Sequence, residues 1–140
     1  MKSISPYLTF NGDCEAAFNF YKDVFGGEFL HIGRFKEMPK EYPVDSKDEN
    51  LVMHVTLPIG PHTVLMGSDT SESFGPPPMK GNNFSISYMA ESKEEANKIF
   101  STLAEDGTVT MPMSDTFWNS YFGMCTDRFG IQWMVSFDQQ

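Results

Sequence analysis

His54 stands where it could do chemistry. Along Val52-Met53-His54-Val55-Thr56-Leu57 the strand period of two puts Val52, His54 and Thr56 on one face and Met53, Val55 and Leu57 on the other. An imidazole so placed can act as a base or as a hydrogen-bonding anchor. Its plainer role is to hold two strands together by hydrogen bonds. Two further segments alternate in the same way. Asn83, Ser85 and Ser87 oppose Phe84, Ile86 and Tyr88, and Gln132, Met134 and Ser136 oppose Ile131, Trp133, Val135 and Phe137. No Lys, Glu or Arg lies on these polar faces, whereas an open, solvated sheet normally carries them. Small uncharged polar groups with one His and one Met suit the lining of a partly enclosed pocket. The expected binding residues are Thr56, Asn83, Ser85, Gln132 and Met134, with Phe10 and Trp118 as aromatic contacts. Trp133 falls on the apolar side and is assigned to the core. His31, on an early strand, and His62, beside Gly60-Pro61, have no comparable placement.

The elements that must position these groups form one pattern written twice. Asp13 is the expected N-cap of a first helix whose apolar face is Ala16, Ala17, Phe20, Tyr21, Val24 and Phe25, ended by Gly26-Gly27. Ser92, with Glu95 three residues on, opens a second helix with the stripe Ala96, Ile99, Phe100 and Leu103, ended by Gly107. Strand-like segments precede the helices at 4–10 and 83–89. Others follow at 28–35, 51–57 and 63–67, and at 108–113, 120–126 and 131–137. The order is β-α-β-β-β, repeated about eighty residues later without residue identity.

Near the end of the chain, 115–123 reads as an aromatic strand, Asp127 to Gly130 as a turn, and the residues after it as a second aromatic strand. The expected modules are 1–68 and 83–140 within one compact domain, joined by a linker at 69–82 that carries Pro76, Pro77 and Pro78. The segment 36–50, with Pro39 and Pro43, is a loop that could close over a cleft.

Composition limits the function. With 40% hydrophobic and 14% aromatic residues, including 13 Phe and 10 Met, the chain of 140 residues can bury a core. A formal charge of −9 argues against nucleic acid and anionic lipid as partners. No apolar run approaches the roughly 20 residues that span a bilayer, and the first residues lack the apolar stretch of a signal peptide. Cys14 and Cys125 are too few and too far apart for a disulfide framework or a zinc site. A reduced, cytoplasmic protein is expected. There is no glycine-rich cofactor turn, no Gly-x-Ser-x-Gly elbow and no phosphate-binding loop.

Several motifs, in order, resemble the vicinal oxygen chelate superfamily, which includes glyoxalase I, extradiol dioxygenases and bleomycin- and fosfomycin-resistance proteins. They are Ser5-Pro6-Tyr7-Leu8, Phe10-Asn11-Gly12, Phe25-Gly26-Gly27-Glu28, Met53-His54, Phe122-Gly123 and the run Asp127 to Trp133. Within the superfamily the chain looks most like the PhnB-like, or demethylubiquinone methyltransferase-like, branch. Methyl transfer itself finds no support, because 140 residues leave no room for a nucleotide-binding domain beside these modules.

The resemblance implies an α+β fold of two βαβββ modules, their mixed sheet curled around a cleft, and a homodimer. In metal-dependent relatives four side chains hold a divalent ion, and here Pro6, His54, Asn83 and Met134 fall on those positions. Only His54 is a credible ligand: proline has no side-chain donor, and amide and thioether groups hold hard ions poorly. No metal site and no cofactor are therefore expected, although a divalent metal stays open. The leading expectation is a glyoxalase-like small-molecule binding protein, with a lyase- or dioxygenase-type enzyme using His54 on a small oxygenated substrate as the alternative. A regulatory dimer with a vestigial cleft is a third class.

Overall fold

The computed structural model describes residues 2–73 and 75–139; Met1, Phe74 and Gln140 lie outside it. Apart from two short 3-10 turns at Phe35–Glu37 and Ser46–Asp48, the elements of the first half are β1 (Tyr7–Phe10), α1 (Cys14–Phe25), β2 (His31–Arg34), β3 (Val52–Ile59) and β4 (Thr63–Asp69). The next five are β5 (Ile86–Met89), α2 (Lys93–Ala104), β6 (Thr108–Asp115), β7 (Ser120–Thr126) and β8 (Gln132–Asp138). The first four strands make a sheet in the order β1-β4-β3-β2, and the last four make one in the order β5-β8-β7-β6. In both sheets the opening strand runs parallel to the last strand of its module, and the other neighbours are antiparallel. The repeat read from the order of elements is thus also a repeat of topology. The chain divides into two compact units, Met1–Met79 and Lys80–Gln140. Asp69, expected to open the linker, is instead the buried last residue of β4.

In α2 the stripe Ala96, Ile99, Phe100 and Leu103 is buried as its spacing predicts. Helix α1 is rotated from its expected face: Cys14, Ala17, Phe18 and Tyr21 are buried, and Ala16 is exposed. The cause lies in the sheet. Phe18 packs against Gly67 of β4, where an added Cβ would sit 2.7 Å from the Phe18 ring and from the Leu8 carbonyl. Phe100 of α2 likewise packs by Gly123 of β7, within 3.0 Å of a Cβ built there. A glycine that makes room for a helix is invisible to the helix's own periodicity.

Helix capping also departs from expectation. Asp13 makes no side-chain capping bond. The Asp69 carboxylate takes that place from the far end of β4, with Oδ1 accepting from Gly12 N at 2.9 Å and Cys14 N at 3.0 Å. Its Oδ2 accepts from Val52 N at 2.9 Å. Val52 borders a bulge where β3 slips against β2 between Gly33 and Arg34. A bulge leaves backbone groups out of the ladder, and a carboxylate beside a helix N-terminus is favoured by the dipole. One buried side chain satisfies both needs. The bulge also moves Val52 off the His54 face: Val52, Val55 and Leu57 are all fully buried.

The second module has its own buried aspartate. Asp127 Oδ1 accepts from Phe129 N at 2.8 Å and Ile131 N at 3.0 Å, and Oδ2 accepts from the Trp133 indole at 2.9 Å. It closes the β7–β8 turn, with Gly130 at φ +90, and ties Trp133 into the core. Ser92 Oγ accepts from Glu95 N at 3.0 Å, whereas the Glu95 carboxylate accepts from Glu91 N, one residue before the cap.

Within the segment expected as an aromatic strand, 115–123, residues 116–119 form a hairpin tip and Ser120 to Gly123 are strand. β6 ends at Asp115, Asn119 adopts φ +67, and β7 starts at Ser120. The Thr116 hydroxyl closes the tip by donating to the Ser120 carbonyl at 2.7 Å. The loop 36–50 is tethered within its own module: Lys36 N donates to Glu49 O, Ser71 Oγ donates to the buried Asp48 carboxylate, and Lys47 pairs with Glu72. Among the described residues no helix is long and apolar enough to cross a membrane.

Candidate functional site

The His54 face of the first sheet is set by strand register. One row crosses all four strands: Tyr7 lies opposite Met66, Met66 opposite Thr56, and Thr56 opposite His31. In a paired row the side chains project to the same side of the sheet. His54 sits one step along, opposite Gly33, and Thr9 opposite Ser68 occupies the same step at the other edge. His54 Nε2 and Thr56 Oγ1 are hydrogen-bonded at 2.9 Å, the imidazole tautomer deciding which of them donates. The His54 ring lies 5.8 Å from Tyr7 and 5.9 Å from His31, tilted 34° and 32°.

His31 therefore has the placement that its sequence position did not suggest. The signal lay in register: an imidazole on β2 meets β3, and Gly33 leaves the space it needs. A Cβ at Gly33 would approach His31 Nε2 to 3.0 Å. Thr56 is buried beneath the rings, His54 is half-buried, and Tyr7 is 48% exposed. The group is a solvent-reachable cluster of two imidazoles, a phenol and a hydroxyl, with donors and acceptors fit for an oxygenated ligand.

Around it the module is braced by ions. Arg34 grips Glu15 with both guanidinium arms, at 3.0 and 2.7 Å, and reaches the Asn50 carbonyl at 2.9 Å. The Arg34 hydrogen bonds hold the Glu15 carboxyl below its usual range. This fork joins β2 to α1 and fixes the strand that carries His31.

The other expected site residues fall differently. Phe10 is 3% exposed and meets the Phe18 ring edge-on, so it belongs to the core under α1. β5 begins only at Ile86, which leaves Asn83 and Ser85 before the strand, Asn83 exposed. The reason is that its parallel partner β8 begins at Gln132, just after the Asp127–Gly130 turn. The Gln132 amide is committed to backbone, donating to the Gly81 and Phe84 carbonyls at 3.0 and 3.1 Å.

Met134 lies on the sheet face away from Trp133, opposite Ser87 on β5 and Met124 on β7. Trp118 sits at the β6–β7 hairpin tip, 54% exposed, with edge-on contacts to Phe117 and Phe122.

Among the described residues, no cluster of three or more His, Cys, Asp or Glu side chains is arranged to hold a metal ion. Of the four positions that the resemblance assigns to a metal ion, three lack a suitable donor and only His54 carries one. The Pro6 carbonyl is used by Met66 N at 3.1 Å, Asn83 precedes its strand, and Met134 offers a thioether. This donor set does not fit a hard divalent ion.

A model of the glyoxalase/bleomycin resistance protein/dioxygenase superfamily matches residues 3–135. The chain belongs to that superfamily. Among curated proteins it is 32% identical to protein YjdN of Escherichia coli strain K12, over 98% of this chain and 96% of YjdN. Among solved structures it is similar to protein PA1353 from Pseudomonas aeruginosa, at 42% identity and a TM-score of 0.86, with both chains fully covered. It also resembles a PhnB protein from Bacillus cereus, at 27% identity and a TM-score of 0.78, over 97% of this chain and 99% of that one. These superfamily members support the two-module α+β fold and the PhnB-like resemblance together.

Proposed function

We propose that this superfamily member binds a small oxygenated molecule on the His54 face of its first module, without the superfamily's full metal site. The reading rests on the His54–Thr56 hydrogen bond with Tyr7 and His31 beside it, a cluster of polar groups that the core does not need. Thr56 orients the His54 ring, and Tyr7 and His31 flank it, so a carbonyl, hydroxyl or carboxylate there meets both donors and acceptors. The binding protein is read as a cytoplasmic homodimer.

The test is a thermal-shift screen of small oxygenated compounds, paired with elemental analysis of the purified protein. A ligand held at about 100 times its Kd stabilises by about 2.7 kcal/mol, a readily measured shift. His54→Ala should abolish that shift while leaving the ligand-free Tm nearly unchanged. A ligand that stabilises wild type and His54→Ala alike would overturn the assignment of the face.

His31 supports the alternative reading. A second imidazole beside the first gives a lyase- or dioxygenase-type enzyme two groups for moving protons. Turnover lost in His54→Ala with the fold intact, or a divalent metal near one per chain, would favour that enzyme.

A further inference from the structure

The face of the second sheet opposite the buried Trp133 and Cys125 carries methionines abreast on three neighbouring strands. Met134 of β8 is paired directly with Met124 of β7, and Met124 with Met111 of β6. Directly opposed residues project to the same side, and adjacent strands lie about 4.8 Å apart. A register shift on each side of Met111 sets its phase: Val109 pairs with Cys125, Ser114 pairs with Phe122, and Met113 turns to the opposite face against Gly123. Without those bulges the third thioether would not join the row. Met111 is 43% exposed, and Met124 and Met134 are half-buried, so the row is open to solutes. Its flanks are Ser87, Ser136, Phe122 and Ser114, which bring no charge.

We propose that Met111, Met124 and Met134 form a binding site for a soft monovalent cation, Cu(I) or its surrogate Ag(I). Thioether sulfur selects soft ions and is a poor ligand for hard divalent ones. Methionine's three side-chain torsions let sulfurs from strands about 4.8 Å apart lean onto one ion. The formal charge of −9 favours the approach of a cation. The usual competitors for such an ion are thiolates, but Cys125 points to the buried side of β7 and Cys14 is buried in the first module. Burial keeps both thiols protonated, with Cys125 pushed up to about 11 and Cys14 higher still. The proposal is independent of the ligand read for the His54 face.

The experiment titrates the full chain with Ag(I) in nitrate buffer. It is followed by native mass spectrometry and by NMR of methyl-labelled methionines, then repeated with Cu(I) delivered from a competing chelator. One ion per chain is expected, with the methyl signals of Met111, Met124 and Met134 shifting together and Zn(II) and Mg(II) failing to compete. Met124→Leu and Met134→Leu, which nearly conserve volume, should each weaken binding about tenfold or more, and the triple Leu variant should lose it. Shifts confined to other methionines would overturn the site, as would binding lost in Cys14→Ser/Cys125→Ser but kept in the triple variant. The wild-type NMR readout decides the matter even if the triple variant fails to fold.

Discussion

The two modules share a topology and differ in what they show to solvent. The first sheet presents imidazoles, a phenol and hydroxyls, anchored by His54 and Thr56. The second presents thioethers and aromatics, with Met111, Met124 and Met134 abreast and Trp118 at the hairpin tip. Behind these faces the construction is the same. Each module has a buried aspartate accepting three N–H bonds, and each helix packs a phenylalanine onto a strand glycine. The frame is set by backbone needs, which the two modules share, while the sheet faces turned away from the helices are free to carry different chemistry.

The largest expected effect strikes the shared frame. Asp69→Ala and Asp127→Ala each leave three donors without their acceptor, at a cost of about 3 kcal/mol or more. Urea unfolding measures this, and a loss below 1 kcal/mol in either would end the parallel between the modules. The glycines come next, and unequally. Gly67→Ala meets the Leu8 backbone carbonyl at 2.7 Å, whereas Gly123→Ala first meets the Met113 sulfur at 2.6 Å. Side chains move more easily than backbone, so Gly67→Ala should cost about 2–3 kcal/mol and Gly123→Ala about 1–2 kcal/mol. An inverted order in thermal unfolding would refute this account.

Gly33→Ala sharpens the contrast in faces rather than frames. Gly33 is not held at positive φ, so stability should change by less than about 1 kcal/mol. The added methyl displaces His31 and should weaken any ligand whose binding depends on His54, as isothermal titration would show.

The smallest effects are electrostatic. Burial raises the folded Cys125 thiol to about 11, above the unfolded value of about 8.5. Its contribution to stability is thus complete below pH 8.5 and lost as pH rises through 11. At pH 8, iodoacetamide should label neither cysteine until the chain unfolds; prompt labelling of native protein would contradict the burial. For Glu15 the sign is opposite. Arg34 depresses its folded pKa, so its contribution is present above about pH 4.3 and is lost as pH falls through the folded value. The pair is partly exposed, which limits the effect to under about 1 kcal/mol. Glu15→Gln should remove that part of the difference in urea stability between pH 6 and pH 3.

Local signals in the sequence were enough for the repeated β-α-β-β-β order, the α2 stripe, the Ser92 cap and the Asp127–Gly130 turn. Each depends on residues within a few positions of one another, which is the range of helix periodicity, capping and turn chemistry. His54 and Thr56 were legible for the same reason, two residues apart on one strand. Only tertiary structure decided the rest. Asp69 caps a helix that lies more than fifty residues before it in the chain. The β3 bulge sends Val52 to the core, Gly67 turns α1 to bury Phe18, and strand register carries His31 to His54 and Met111 to Met124. These depend on which strands become neighbours and where their ladders slip. Period-two alternation along a single strand carries no information about either.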